Sequence, residues 1–451
     1  MAIKPTTLKG TRDFLPEQVI RRNYIFDTIR SVFERYGYRP IETPAMEKLD
    51  TLTGKYGEEG DRLIFKILNN GDFLSKVPGQ ILEEKASNKA ASMLSKRALR
   101  YDLTVPFARF VVQHRNDLQL PFKRYQIQPV WRADRPQKGR YQEFYQCDVD
   151  VVGSASLMYE AELIAIYAEV FEALKLPVTI RINNRKILAG IAEVAGIADR
   201  MIEMTVALDK LDKIGAEKVA REMTSKGIAN DAAERVLQLI RLSSLEEMQA
   251  AMQDSATGVS GIRELQEALA FFGETLPANV SVDFTLARGL NYYTGFITEV
   301  TVDGPAMGSI GGGGRYDDLT GVFGMPGVSG VGISFGAERI YDAMEELGLF
   351  PASLELDARV IVLAMDADSH KHGFTIAQSL RKEGISTDIY PEPAKFKKQM
   401  KYADQRGIPF ALIIGEEERT SGIYTLKDLK TGQQTKGSIE EVKEVLKRPS
   451  L

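Results

Sequence analysis

The stretch FKRYQIQPVWRADRPQKGRYQEFYQCDVDVVG, Phe122 to Gly153, sets two runs rich in aromatic and β-branched residues on either side of a charged loop. Runs of that composition predict a long antiparallel hairpin. Its connecting loop carries Arg132, Asp134, Arg135, Lys138 and Arg140. Strand character returns at VSVDFTLARGLNYYTGFITEVTV (Val280 to Val302), as though the same sheet continues. Between the two, from about Asn184 to Phe272, stretches such as DAAERVLQLIRL and GIRELQEALAFF are rich in Ala, Glu and Leu. They predict helices, and so a helical domain inserted into the domain of the hairpin.

Upstream, PEQVIRRNYIFDTIRSVFERYG (Pro16 to Gly37) places Ile20, Tyr24, Ile25, Ile29 and Phe33 near helical spacing, with Pro16 at the start and Gly37 at the end. YRPIETPAME follows as an extended segment, because Pro40 and Pro44 disfavour helix. Downstream, LGLFPASLELDA (Leu347 to Ala358) reads as a linker. After it RVIVLAM, HGFTIAQSLRKEG, ISTDIY, KFKKQMKYADQRG and IPFALIIG alternate strand and helix patterns. That alternation predicts a small α/β domain with a mostly parallel sheet. The expected division is 1–185 and 277–350 for one interrupted domain, 186–276 for the insertion and 357–451 for the last domain.

A chain of 451 residues is too long for one core. Its 44% hydrophobic and 27% charged content is that of a soluble globular protein, and no apolar run approaches a bilayer span. The N-terminal segment lacks the apolar core of a signal peptide. Cys147 is the single cysteine, which excludes an internal disulfide and suits a reducing cytosol. Net charge near −4 excludes a chain coated in basic residues but allows local basic patches. Of the three histidines, His370 and His372 stand at a helix start as exposed polar residues and His114 follows an apolar run as a structural one.

GSIGGGGRYDDLTG (Gly308 to Gly321) invites a phosphate-loop reading, but no Gly-x-x-x-x-Gly-Lys-Ser/Thr stands behind it. A glycine-rich strand beside a ligand, where missing side chains let a ring approach, is the more natural reading. The phosphate signal lies in three separated arginines: Arg132, Arg288 in FTLARGLNYYTG, and Arg339 in GVGISFGAERIYDAM. A protein carboxylate is the ordinary partner of any one of them. Three from distant segments favour a polyanion such as a triphosphate, for which guanidinium is suited.

Taken in order, these segments resemble class II aminoacyl-tRNA synthetases, and among them the histidyl-tRNA synthetase family. GYRPIETPAME is similar to motif 1 with Pro44 as its proline, WRADRPQKGRYQEF to motif 2 and GISFGAERI to motif 3. ARGLNYYTG and GGGGRYDDL are similar to the two histidine-specific elements, and KGTRDFLPEQ and RYDLTVPFARF also match. The class I signatures His-Ile-Gly-His and Lys-Met-Ser-Lys-Ser are absent. The resemblance implies a multidomain α/β chain: an antiparallel-sheet catalytic domain with a helical insertion, plus a C-terminal α/β anticodon-binding domain.

It also implies ATP-dependent attachment of L-histidine to tRNA(His) through a histidyl-adenylate, with AMP and diphosphate released. Arg132 is then expected at the α-phosphate and the histidine carboxylate, Arg288 opposite it as the second catalytic arginine, and Arg339 at the γ-phosphate. Asp134 joins the ATP set. Asp102, Thr104 and Gln146 are expected around the amino group, and Asp150, Tyr293 and Tyr316 around the ring. Asp102 and Asp150 stand where bacterial relatives often have glutamate, Asp134 departs from the usual motif 2 glutamate, and Gln142 stands where many relatives carry arginine and is assigned nothing. Arg135, Lys138 and Arg140 are expected to meet the tRNA acceptor end. Lys397 and Lys398, in a basic cluster with Lys395, Lys401 and Arg406, are expected to meet tRNA elsewhere. Mg2+ is expected with ATP, with no protein ligand assigned, and the chain is expected to be a cytoplasmic homodimer joined through motif 1, with no membrane contact. The competing expectation is a non-catalytic, histidine-binding regulatory paralogue that partners ATP phosphoribosyltransferase; a synthetase for another amino acid is disfavoured by RGLNYY and GGGGRYD.

Overall fold

The computed structural model describes residues 4–287, 292–305, 307–351, 354 and 358–447. The chain forms two compact units, one of residues 22–349 with the N-terminal segment, the other of residues 14–21 and 350 onward.

The first unit is built on an eight-stranded sheet. Its strands are β1 (Arg39–Pro40), β2 (Phe122–Trp131), β3 (Glu143–Val152), β4 (Val178–Asn184), β5 (Val280–Val282), β6 (Phe296–Val302), β7 (Gly311–Tyr316) and β8 (Gly330–Gly336). They lie in the order β1-β2-β3-β8-β7-β6-β4-β5, antiparallel except for the outer pairs β1·β2 and β4·β5. The expected hairpin is β2·β3, paired from Phe122↔Val152 to Trp131↔Glu143. The strand character expected to resume from Val280 to Val302 is carried by two strands, β5 and β6, of the same sheet, with turn residues after Val282. Between β4 and β5 the described elements are all helical, from Arg185–Val194 to Ala256–Ala270. Asn184 caps the first of them by accepting from Lys186 N–H.

Side chains alternate across a strand, so the register assigns every residue of this sheet to a face. One face carries Tyr125 and Ile127 of β2, Cys147 and Val149 of β3, and Ile333 and Phe335 of β8. Helix Pro16–Arg35 and helix Met158–Ala173 cover it: Phe33 lies 5.6 Å from the Tyr125 ring and 5.8 Å from Phe335, and Tyr167 lies 4.7 Å from Phe335. Burial of apolar area on this side holds the layers together. The opposite face is apolar at its margins, with Phe122, Val152 and Ile297, and polar or bare between them. It runs across the sheet in rows: Arg124–Asp150–Gly332–Gly314, then Gln126–Asp148–Ser334–Gly312–Glu299, then Gln128–Gln146–Gly336. A sheet that spends one face on its core leaves the other for chemistry.

In the second unit, Val360–Ala364 pairs in parallel with Thr387–Ile389 and Phe410–Ile414, and Tyr424–Asp428 and Gln434–Gly437 extend the sheet antiparallel. Helices Ala367–Lys382, Phe396–Gln405 and Ile439–Lys447 accompany these strands, and Val360, Val362, Leu380, Leu412 and Leu426 share one buried cluster. His370 and His372, expected as exposed, are half-buried in the first of these helices: one ring meets the Tyr390 carbonyl at 2.9 Å, the other the Tyr424 hydroxyl at 2.8 Å.

Candidate active site

A cavity of about 440 Å³ opens on the polar face of the large sheet. Ser334 and Gly336 of β8, Gly311 and Gly312 of β7, and Gln146 of β3 line it, with the loop after β2 and the start of helix Ala337–Glu346 at its edge. The glycines make room. A Cβ on Gly314 would lie 2.7 Å from the Tyr293 ring, and one on Gly332 would overlap the Asp150 side chain. The four glycines form a strand, β7, and not a phosphate loop, and Gly311 and Gly312 line the cavity.

Arginines gather at one end. Strand β2 stops at Trp131, so Arg132 stands one residue beyond it, its Nε donating to Tyr101 O at 3.0 Å and its guanidinium 4.3 Å from the Tyr101 ring centre. Arg339 donates its Nε to Gly139 O at 2.6 Å and Nη1 to Ser309 O. No carboxylate pairs with Arg132 or Arg339 among the described residues. Arg140, also in the lining, lies 3.8 Å from Asp134. Burial first, then the charges of Arg140 and Arg132, lowers the pKa of Arg339. Cations held together in this way gain most from an anion of high charge density.

The same cavity holds a buried carboxylate. Asp102 stands just before helix Thr104–Gln113, where it accepts from Val105 N–H at 3.1 Å, from the Tyr56 hydroxyl at 2.9 Å and from the Tyr292 hydroxyl at 3.4 Å. It is 3% exposed, and burial raises its pKa against the pull of Val105 N–H and Arg132. A carboxylate with only neutral donors in contact favours a cationic ligand. Gln146 links Arg132 to β8, accepting from Arg132 Nη2 at 3.5 Å and donating to Ser334 Oγ at 2.8 Å.

Of the residues expected from sequence, the cavity brings together Asp102, Thr104, Arg132, Asp134, Arg140, Gln146, Tyr293 and Arg339. Asp150 and Tyr316 sit behind the lining, each 2% exposed, with the Tyr316 hydroxyl donating to Asp150 Oδ1 at 2.7 Å. Arg135 is exposed, and Lys138 pairs with Glu346 at 3.0 Å beside a second cavity of about 700 Å³. Lys397 and Lys398 are exposed in the second unit, Lys398 3.2 Å from Glu392. Arg288 lies outside the described residues. Gln142 holds the N-terminal segment, its N–H donating to Gly10 O at 2.8 Å.

Sequence reasoning missed a buried polar layer behind the lining. Arg100, 1% exposed, donates to Pro129 O at 2.8 Å, Thr43 O at 2.6 Å and Gln128 Oε1 at 2.9 Å, and burial lowers its pKa to about 10. Arg124, Gln126 and Asp148 are also buried. The signal was present as RYQIQ and CDVDV, polar and apolar residues in strict alternation on two paired strands.

A histidyl-tRNA synthetase family model matches residues 10–74 and 91–340, and an anticodon-binding domain model matches 357–448. The chain belongs to the histidyl-tRNA synthetase family. It is 54% identical over 445 residues to a histidine–tRNA ligase of Christiangramia forsetii, covering 96% of this chain and 97% of the relative. A histidine–tRNA ligase of Porphyromonas gingivalis is also 54% identical, covering 96% of each chain. Among solved structures, the histidyl-tRNA synthetase of Nostoc sp. PCC 7120 superposes with a TM-score of 0.83 at 33% identity, covering 99% of this chain and all of the other. The architecture is that of the family: an antiparallel catalytic sheet with a helical insertion, and a C-terminal anticodon-binding α/β domain.

Proposed function

We propose that the cavity on the polar sheet face activates L-histidine with ATP, and that the chain then transfers the histidyl group to tRNA(His), releasing AMP. The chain is a ligase of the aminoacyl-tRNA synthetase type. The observation that carries the residue assignment is the opposition, within one cavity, of Arg132 and Arg339 to the buried Asp102.

In the first step the histidine carboxylate attacks the α-phosphorus of ATP and pyrophosphate leaves. Two anions must approach, so positioning and charge stabilisation do most of the work. Arg132, held by the Tyr101 carbonyl, receives both the carboxylate and the α-phosphate, with Arg288 as the second catalytic arginine. Arg339, held by Gly139 and Ser309, receives the γ-phosphate, and Asp134 completes the ATP side. Asp102, Thr104 and Gln146 take the ammonium group, which keeps the carboxylate turned toward Arg132. Tyr293, Asp150 and Tyr316 take the ring, and Gly312 and Gly314 keep the floor thin enough for it.

Mg2+ fits as a companion of the nucleotide. Among the described residues no group of three or more carboxylate, cysteine or histidine side chains could hold a metal. Mg2+ commonly uses one or two carboxylates plus substrate phosphates, and Glu299 in the lining is such a carboxylate. Bound there it would neutralise charge on the departing pyrophosphate.

Arg135, Lys138 and Arg140 lie on the loop between β2 and β3 and are assigned to the acceptor end of tRNA; Lys397 and Lys398 are assigned to tRNA through the anticodon-binding domain. The motif 1 segment GYRPIETPAME, which includes Pro44, is assigned to a homodimer interface, and the reaction to the cytoplasm. No helix among the described residues is long and apolar enough to cross a membrane. The test is charging of a tRNA(His) transcript with labelled histidine. Acid-precipitable, ATP-dependent label is expected; histidine binding without charging would favour the regulatory alternative.

A further inference from the structure

Behind the ring end of the cavity lies a charge cluster that the assigned roles leave unexplained. Asp148 and Asp150 are two residues apart on the same face of β3, and both are 2% exposed. Arg124, fully buried on β2, is directly opposite Asp150, and its Nη2 lies 2.7 Å from Asp150 Oδ2. Asp148 is one row nearer the cavity. Its cross-strand neighbours are Gln126 on β2 and Ser334 on β8, and Ser334 lines the cavity. Among the described residues Asp148 Oδ1 is buried without a hydrogen-bond partner, and so is Arg124 Nε.

One guanidinium therefore serves two buried carboxylates, which cannot both ionise cheaply. The groups facing Asp148 are Arg124 and the neutral Gln126 from β2, Asp150 from its own strand, Ser334 from β8, and Asp102 before helix Thr104–Gln113. Tyr316 from β7 donates to Asp150. Asp150, in contact with both Arg124 and Tyr316, is the better placed of the two to hold the negative charge, although burial raises its pKa as well. Asp148 holds its proton well above the usual carboxylate range: burial pushes its carboxyl up to about 7, with Arg124 opposing and Asp150 adding to the rise.

We propose that Asp148 is a positioning residue for the histidine ring: while protonated it leaves Arg124 to Asp150, and once ionised it competes for Arg124 and loosens Asp150. This rests on the assignment of Asp150 to the ring. The sign follows. The protonated, competent form predominates below about pH 7 and is lost as pH rises through that value. The two carboxylates titrate as a pair, so the observed midpoint belongs to both.

The test is the KM for histidine in ATP–pyrophosphate exchange between pH 6.5 and 8.5, for the native enzyme and Asp148→Asn. Asparagine keeps the shape of the neutral carboxyl and cannot ionise. The histidine's own ionisations are common to both enzymes and cancel in the ratio. The native KM should rise about fivefold more than that of D148N over this interval, within the tenfold that one pKa unit represents, and the KM for ATP should follow the same profile in both. A second variant, Ser334→Ala, removes the cross-strand hydroxyl whose interaction with Asp148 lowers its pKa, so its KM rise should move to higher pH. Parallel histidine profiles for the native enzyme and D148N, or an unmoved midpoint in S334A, overturn the proposal. So does a D148N KM more than about tenfold above native at pH 6.5, since the neutral form would then not be the competent one. Absence of histidine-dependent exchange from the native enzyme at every pH would overturn the functional reading instead.

Discussion

Arg132 and Arg339 lie in a cavity and touch carbonyls, an amide and aromatic rings, whereas Lys395, Lys397, Lys398 and Lys401 stand exposed along the helix Phe396–Gln405 or at its cap. Both groups are basic clusters in sequence. The difference lies in who neutralises them. In the helical cluster Lys398 has Glu392 at 3.2 Å, and the half-buried Arg406 has Asp388 at 2.6 Å. Water screens the rest, so each charge contributes little by itself. Among the described residues Arg132 and Arg339 have no carboxylate partner, and both are partly withdrawn from water. Burial and pairing, more than charge count, separate a reactive cation from a solvated one.

The sharpest way to break that contrast is Arg132→Ala. Loss of a preorganised charge partner should lower the rate of histidine-dependent exchange by roughly 10²–10³; near-native exchange would place Arg132 with the solvated cations. Asp102→Asn tests the buried carboxylate, because it retains shape and removes charge. The KM for histidine should rise about thirtyfold, the equivalent of about 2 kcal/mol, with the KM for ATP nearly constant.

The floor permits a smaller but cleaner test. Gly312 lines the cavity, while a Cβ on Gly313 would press on Ile333 at 2.7 Å within the sheet. Gly312→Val should raise both Michaelis constants with little change in Tm. Gly313→Val should instead lower Tm by several degrees, as overpacking costs about 1–3 kcal/mol. Strand alternation divides the two outcomes. The smallest effect belongs to the helical cluster. Lys397→Glu with Lys398→Glu should weaken tRNA binding a few-fold and flatten its salt dependence, leaving exchange unchanged. Unchanged tRNA affinity across a salt series would remove the assignment.

The ends of strands were legible in the sequence and their interiors were not. Arg132, Asp134 and Arg339 announce themselves because loops and helix starts carry charge against an apolar background. Arg124, Gln126 and Asp148 alternate with apolar residues, which is also the pattern of a strand with one wet face. Only the register shows that this face is buried, with Asp150 lying across Gly332. Tyr316, assigned to the substrate ring together with Asp150, donates its hydroxyl to that carboxylate, and the pairing also needs the register to be seen. The helical insertion was legible from composition, since strand signals lapse between β4 and β5 and then resume. His370 and His372 were misjudged because tertiary partners twenty and fifty-two residues away, Tyr390 and Tyr424, half-bury them.

The central claim is that this cavity opposes cations to Asp102 in order to join histidine to ATP. ATP–pyrophosphate exchange, measured with each of the amino acids in turn, tests it most directly. Exchange that depends on histidine alone is the predicted result; exchange with another amino acid, or with none, would contradict it.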